Sequence, residues 1–223
     1  MKNYLFILLI CLGCASKKEI VVPKFESKIV SNEKLSCRAI FVDTDKVWLG
    51  MDKGRYGFYD KKKDTLVVKT IQSVSNTTEF RSIAATKDAI FILAVGNPAK
   101  LIKIDKKSLQ ETIVYQEENE KVFYDSMQFV DNLNGFAMGD PTEDCLSFIK
   151  TTDGGNSWEK VSCANFPKVS EGEAAFATSN TNLIVKGKSI FMVSGGKKSR
   201  VFVSLDFGTS WQVYETPIVQ GEE

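Results

Sequence analysis

The chain has 223 residues, 43% hydrophobic and 26% charged, which excludes a disordered or collagen-like polymer and leaves room for a sizeable core. A formal net charge of +1 removes the electrostatic case for nucleic acid or a polybasic membrane anchor. Histidine is absent, and with it Ser-His-Asp and Cys-His nucleophiles, histidine metal sites and histidine general bases.

Lys2 precedes an apolar run, Y-L-F-I-L-L-I-C-L, over residues 4–12. About nine apolar residues are roughly half of what a spanning helix needs, so the run reads as a signal-peptide core. The string L-G-C-A-S at 12–16 resembles a bacterial lipoprotein signal, in which a small residue precedes the cysteine that is lipidated. The departure is Cys11, where that pattern prefers Leu, Val or Ile; the alternative is a plain secretory signal cleaved near Ala15 or Ser16. The resemblance implies removal of residues 1–13 and two or three acyl chains on Cys14, enough for stable anchoring. It also implies membrane attachment through that lipid, on an outer-membrane or cell-surface lipoprotein of the bacterial envelope. Residues 14–35 read as a tether.

From residue 36 onward, strand-like segments of five to seven residues alternate with turn signals, without a helical period. The first repeat carries R-A-I-F-V (38–42), K-V-W-L-G (46–50), R-Y-G-F-Y-D (55–60) and T-L-V-V-K-T-I (65–71). The second carries F-R-S-I-A-A (80–85), A-I-F-I-L-A-V-G (89–96), K-L-I-K-I-D (100–105) and L-Q-E-T-I-V-Y (109–115). Arg38 matches Arg81 and Trp48 matches Phe91, both at an offset of 43. A third repeat runs through 126–130, 135–139, 145–151 and 157–162, and a fourth through 173–178, 189–196, 200–205 and 210–214. Gly50, Gly96, Gly139 and Gly195 recur after the second strands. Four short strands per repeat at this period predict an all-β fold, a β-propeller with four-stranded antiparallel blades at about 36–75, 76–120, 121–168 and 169–221. A β-sandwich uses similar strands but leaves the 43-residue offset unexplained.

Cleavage leaves Cys37, Cys145 and Cys163 in a compartment that permits disulfides. A hairpin centred near Gly154 sets Cys145 opposite Cys163, within reach of a bridge; two buried free thiols are the alternative. Cys37 reads as a core thiol.

Residues 151–158 (T-T-D-G-G-N-S-W) and 204–211 (S-L-D-F-G-T-S-W) share the pattern S/T-x-D-x-G-x-S/T-W. The pattern has a mechanical reading. Asp153 and Asp206 accept backbone N–H groups in the turn, Gly155 and Gly208 take a conformation closed to other residues, and Trp158 and Trp211 plug between outer strands. These segments resemble the Asp-box, or BNR repeat, of sialidases and other propellers, where its role is structural. Read with G-F-A-M-G-D-P (135–141), G-E-A-A-F-A-T-S-N-T-N-L (172–183) and T-P-I-V-Q-G (216–221), they look like a family of secreted bacterial propellers related to the photosystem II stability and assembly factor and often labelled oxidoreductases. That resemblance implies a WD40/YVTN-like ring of roughly seven blades, of which about four are accounted for. The chain then reads as truncated, or as one that completes its ring with a second chain or closes as a small four-bladed ring.

Arg38 and Arg81 open the first strands of consecutive repeats, so both are candidates to face a central channel, with Glu173 in the fourth repeat. A sialidase-like reading adds Tyr124 as nucleophile and Glu171 and Glu173 as the paired carboxylates. No dinucleotide fingerprint or haem motif is present, so no cofactor is expected. The favoured reading is non-catalytic: a lipid-anchored propeller that binds or helps assemble another envelope protein, with glycan binding or hydrolysis as the alternative.

Overall fold

The computed structural model describes residues 24–175, 180–218 and 221. The chain divides into Met1–Val30 and Ser31–Glu223. Of the first unit only residues 24–30 are described, without regular structure. The signal segment and Cys14 therefore lie outside the described residues.

The second unit is built from four antiparallel four-stranded sheets. β1 (Cys37–Val42), β2 (Lys46–Met51), β3 (Arg55–Asp60) and β4 (Thr65–Thr70) form the first, each strand pairing with the next. β5 (Phe80–Ala85), β6 (Ala89–Ala94), β7 (Ala99–Asp105) and β8 (Glu111–Glu117) form the second. β9 (Tyr124–Phe129), β10 (Gly135–Gly139), β11 (Ser147–Thr151) and β12 (Glu159–Lys160) form the third.

The fourth sheet departs from the expected inner strand at 173–178, of which 176–178 lie outside the described residues. β13 (Glu173–Ala174) pairs with β16 (Gly195–Gly196), while β14 (Leu183–Lys186) pairs with β15 (Ser189–Val193). β17 (Arg200–Ser204) and β18 (Gln212–Glu215) complete the sheet beyond β15. The inner edge is thus in two pieces along one almost continuous partner. The reason is local: Leu183 and Val185 are buried while Ile184 and Lys186 are exposed, and Gly187 (φ +58°) turns the chain so that Lys186 meets Ser189.

Each internal sheet buries both faces, which explains why β6, A-I-F-I-L-A, is apolar throughout. Ile90, Ile92, Ile102 and Ile104 pack with Trp48, Tyr56 and Phe58 of the first sheet. Phe91, Leu93 and Leu101, on the other face, meet Tyr124, Met127, Ala137 and Ile149 of the third. Phe136, Met138 and Phe148 then meet Leu183, Ile190, Met192 and Phe202 of the fourth. The core is therefore three inter-sheet layers. Repeated four-stranded sheets stacked in this order are a partial propeller; these sheets do not close into a full ring.

Cys145 and Cys163 are disulfide-bonded, with Cα atoms 5.5 Å apart. They do not meet as the cross-strand pair that a hairpin about Gly154 sets up. β12 is only two residues long, Ile149 pairs with Lys160, and Cys163 opens a short 3-10 turn ending at Asn165. Cys37 is free and exposed at the start of β1, not a core thiol, because the first sheet's outward face is open there.

Candidate functional site

Three inner strands carry the same irregularity. Cys37 opposes Met51 and Ala39 opposes Gly50, leaving Arg38 as an extra residue. Phe80 opposes Ala94 and Ser82 opposes Leu93, leaving Arg81. Tyr124 opposes Gly139 and Ser126 opposes Met138, leaving Asp125. A bulge re-aims the side chain of its extra residue, and here it does so at one level of three neighbouring inner strands. Arg38 and Arg81, matched in sequence at the 43-residue offset, hold equivalent positions, and Asp125 is the third member of the set.

Their surroundings differ. Arg38 is exposed. The Arg81 guanidinium donates to Glu79 Oε2 from Nε and Nη2 at 3.2 and 3.0 Å and lies 5.4 Å from the Phe123 ring centre. Asp125 is 1% exposed, and neither carboxylate oxygen has a hydrogen-bond partner among the described residues. Desolvation first, then the neighbouring Asp140, push its carboxyl up to about 8 against the pull of Arg81. Asp140 itself accepts the Ala175 N–H at 2.8 Å.

Glu173, expected at this rim, is buried and committed to the fold. Arg200 Nε donates to Oε1 at 2.8 Å and Nη2 to Oε2 at 2.5 Å; the Ser170 N–H and Ser194 Oγ add two further bonds. Burial opposes its ionisation, but Arg200 and the two serine donors hold it below the ordinary glutamate range. Glu171 is exposed, 4.0 Å from Lys197. The Tyr124 hydroxyl is fully buried and donates to Glu117 Oε2 at 2.7 Å, sharing that carboxylate with Tyr115 at 2.8 Å. Lys160 reaches Glu117 Oε1 at 2.5 Å and Thr142 at 2.7 Å. Burial raises the Tyr124 hydroxyl far above its ordinary value, which disfavours the phenolate a tyrosine nucleophile requires. Tyr124 is thus tied to Glu117, and Glu173 to Arg200; the structure does not bring the two into one constellation. The sequence offered no signal for the Lys160–Glu117 and Arg200–Glu173 pairs, whose members stand 43 and 27 positions apart.

Beyond the bulges, the inner strands line a groove of about 370 Å³, walled by Phe41, Ile83, Met127, Leu183 and Ile184. Asn180 reaches across it, donating from Nδ2 to the Ile83 carbonyl and accepting the Met127 N–H, both at 3.0 Å. It thereby fastens the second and third inner strands to the segment leading into β14. A second hollow of about 590 Å³ lies at the adjoining turns, with Asp43, Lys87, Lys106 and Asp131 in its wall. There Lys106 donates to Asp43 at 2.7 Å, and Asn132 accepts the Lys87 N–H at 2.7 Å.

The two Asp-box segments share their hydroxyl–aspartate–backbone bonds and differ at the tryptophan, where Trp211 Nε1 donates to the Gly208 carbonyl at 3.1 Å and Trp158 Nε1 has no partner among the described residues. Thr151 Oγ1 donates to Asp153 Oδ1 at 2.8 Å and accepts the Gly155 N–H at 3.0 Å; Ser204 stands likewise to Asp206 and Gly208 at 2.8 and 2.7 Å. Oδ1 of Asp153 takes the N–H groups of Asn156 and Ser157, and Oδ1 of Asp206 those of Thr209 and Ser210. Burial works against Asp153, but bonds from Ser157 hold its carboxyl at about 2; Ser210 leads in holding Asp206 at about 2. Trp158 meets Phe91 and Phe129, and Trp211 meets Phe148 and Phe166, so each turn is clamped to the preceding sheet through Phe91 or Phe148. The first two repeats lack the motif, yet Asp60 and Asp105 cap the same turns by accepting the N–H groups two and three residues on, those of Lys62 and Lys63 and of Lys107 and Ser108.

No family model and no curated protein matches the chain. Among solved structures it is similar to U3-55K, at 10% identity and a TM-score of 0.62, over 84% of this chain and 54% of that one. It is also similar to the WD40 repeats of RRP9, at 10% identity and a TM-score of 0.60, over 84% and 53%. YCF48 bound to a D1 peptide matches at 12% identity and a TM-score of 0.48, over 87% and 74%. The first two show the propeller-type fold and nothing finer, and the chain spans about half their length.

Proposed function

We propose that this chain is a lipid-anchored, non-catalytic propeller that binds or helps assemble another protein of the bacterial cell envelope. The observation that carries the reading is the groove across all four inner strands, apolar along Phe41, Ile83, Met127 and Ile184 and bordered by polar turns. Such a surface suits an extended or helical segment of a partner better than a compact hydrophilic substrate. The bulged residues favour the same reading. Arg38 offers an exposed cation for a partner's carboxylates, while Arg81 and Glu173 are already engaged. Kinship with secreted propellers of the photosystem II assembly-factor type, drawn from the Asp-box strings, agrees with a binding role. The anchor rests on the L-G-C-A-S string, with Cys14 as the acylated residue.

Two experiments test this. Cells fed an alkyne fatty acid should label the wild-type chain and leave Cys14→Ser unlabelled; label retained on the variant removes the anchor. Crosslinking in intact membranes with a cleavable reagent should recover a defined envelope protein with the wild type. Arg38→Glu and Thr181→Arg, both at exposed positions of the inner-strand face, should reduce that recovery at least fivefold, about 1 kcal/mol. Equal recovery from wild type and both variants rejects the groove as the binding surface.

A further inference from the structure

In an antiparallel pair, residues that exchange hydrogen bonds alternate with residues that do not, and the latter turn their N–H and C=O groups to the strand's other edge. The Thr86 N–H bonds the Ala89 carbonyl, so Ala85, opposite Ile90, and Ile83, opposite Ile92, turn theirs to the free edge of β5. The Val130 N–H bonds the Asn134 carbonyl, so Phe129, opposite Gly135, and Met127, opposite Ala137, do the same on β9. The Val193 N–H bonds the Asn182 carbonyl, which puts Val185, opposite Ile190, in that class on β14.

Side-chain carboxamides serve these edges. Asn180 donates to the Ile83 carbonyl and accepts the Met127 N–H, both at 3.0 Å, which joins β5 to β9. Gln128 accepts the Val185 N–H at 2.8 Å and donates to the Val185 carbonyl at 3.3 Å, which joins β9 to β14. Asn132 accepts the Lys87 N–H at 2.7 Å, which joins the turns beyond β9 and β5. Ala85 stands two residues from Ile83 and two from Lys87, and Phe129 stands two from Met127. Their edge groups have no hydrogen-bond partner among the described residues. Both residues are half-buried, and both border the apolar groove as well as the polar hollow beside it. A donor and an acceptor placed against an apolar wall gain more from a fixed partner than the same groups in open water.

We propose that the slot between Ala85 and Phe129 is a recognition subsite for a primary carboxamide, the side chain of an asparagine or glutamine on a partner segment lying in the groove. Its NH2 group donates to the Ala85 carbonyl and its oxygen accepts the Phe129 N–H. That repeats, two residues further along, what Asn180 does between Ile83 and Met127. The class of ligand follows from what the slot offers. A carboxylate would meet the Phe129 N–H but set an acceptor against the Ala85 carbonyl, an ammonium would do the reverse, and an alkyl side chain would serve neither. The inference rests on the groove being the binding surface and adds a selectivity to it: apolar residues along Phe41, Met127 and Ile184, with one carboxamide among them.

The test pans a random phage-displayed library of twelve-residue peptides on the full chain in a non-ionic detergent. Selected peptides should share one asparagine or glutamine flanked by apolar residues. Replacing that residue by glutamate or methionine in the synthetic peptide should weaken binding at least tenfold. Bound peptide should slow hydrogen exchange at the Phe129 amide and leave the Met127 amide, already bonded to Asn180, unchanged. A library that yields no binder overturns the proposal, as does a methionine or glutamate peptide that binds equally well, or unchanged exchange at Phe129. Binders without a shared carboxamide, sensitive instead to N-methylation of one peptide bond, put a main-chain amide in the slot and overturn it too. Thr181→Arg separates the two readings. Peptides that lose this variant but carry no carboxamide remove the subsite and keep the groove, whereas carboxamide peptides that bind the variant as tightly as wild type remove both.

Discussion

At the scale of single residues, opposite environments pull carboxylates in opposite directions. Asp125 is held near 8, so the folded chain keeps a proton that the unfolded chain releases above the ordinary aspartate range. The unfolded state then binds fewer protons, and stability falls as pH rises from about 4 to about 8, where the loss is complete. Asp125→Asn removes the titration and keeps the shape. Thermal unfolding at pH 5 and pH 8 should show the variant gaining on the wild type by about 3–4 kcal/mol more at the higher pH; an equal gain at both means the carboxyl is already ionised in the fold. Asp153 and Asp206 have folded values near 2, below the ordinary range, so their support is fully present above about pH 4 and disappears as pH falls through about 2. Asp153→Asn should flatten the acid limb of a denaturant-midpoint profile between about pH 2 and 4. The Asp-box carboxylates were legible in the sequence because their partners are three or four residues away. The rim was legible only in part. The 43-residue offset matched Arg38 to Arg81, but the bulges that turn these residues out, and the Arg200 partner that takes Glu173 away, are long-range pairings with no local signature.

At the scale of elements, turn chemistry and inter-sheet packing are coupled through one glycine. Gly155 has φ +74°, and a Cβ there would stand 2.3 Å from the Phe91 ring of the preceding sheet. Gly155→Ala therefore carries both a backbone and a steric cost, about 1–3 kcal/mol. Phe91→Ala opens a cavity in the layer between the second and third sheets and should cost about 3–5 kcal/mol. The double variant should cost less than the two single costs combined, since deleting the ring clears the space the new methyl needs. Urea unfolding of the four proteins measures this, and strict additivity would mean that the backbone strain at Gly155 dominates. The disulfide acts on the same region by closing a loop of 18 positions, and its reduction should lower stability by about 3 kcal/mol. The sequence pairing of these cysteines rested on hairpin symmetry, whereas the structure brings them together through a 3-10 turn. Strand positions were readable wherever apolar periodicity stood between turn residues, as in β2, β6 and β10. The fourth inner strand was not, because A-A-F-A-T and L-I-V-K both look like strands and only pairing with β15 separates them. The recurring glycines also proved inequivalent. Gly50 opposes Ala39 within β2, Gly139 opposes Tyr124 at the end of β10, and Gly96 lies past the end of β6 with φ +78°, so they share no register.

At the scale of the molecule, a stack in which each sheet touches only its neighbours has a stability profile that runs along the chain. The second and third sheets bury both faces, and β6 is fully buried along its whole length. Among the described residues the first and fourth sheets bury one face each, so opening them exposes about half as much apolar surface that water does not already reach, and their local unfolding free energy should be lower. Hydrogen exchange on dilute, single-chain protein should therefore release the amides of β2–β3 and β15–β17 before those of β6–β7 and β10–β11. Asn180 ties the segment leading into β14 to the second and third inner strands, while the disulfide lies within the third repeat. The first repeat is strapped to the second by Lys106, which donates to Asp43, and by Lys100, which donates to the Ser73 carbonyl. Uniform protection across all four sheets on dilute protein would mean that the unit unfolds as one cooperative block, with inter-sheet layers too strongly coupled for a terminal sheet to open alone.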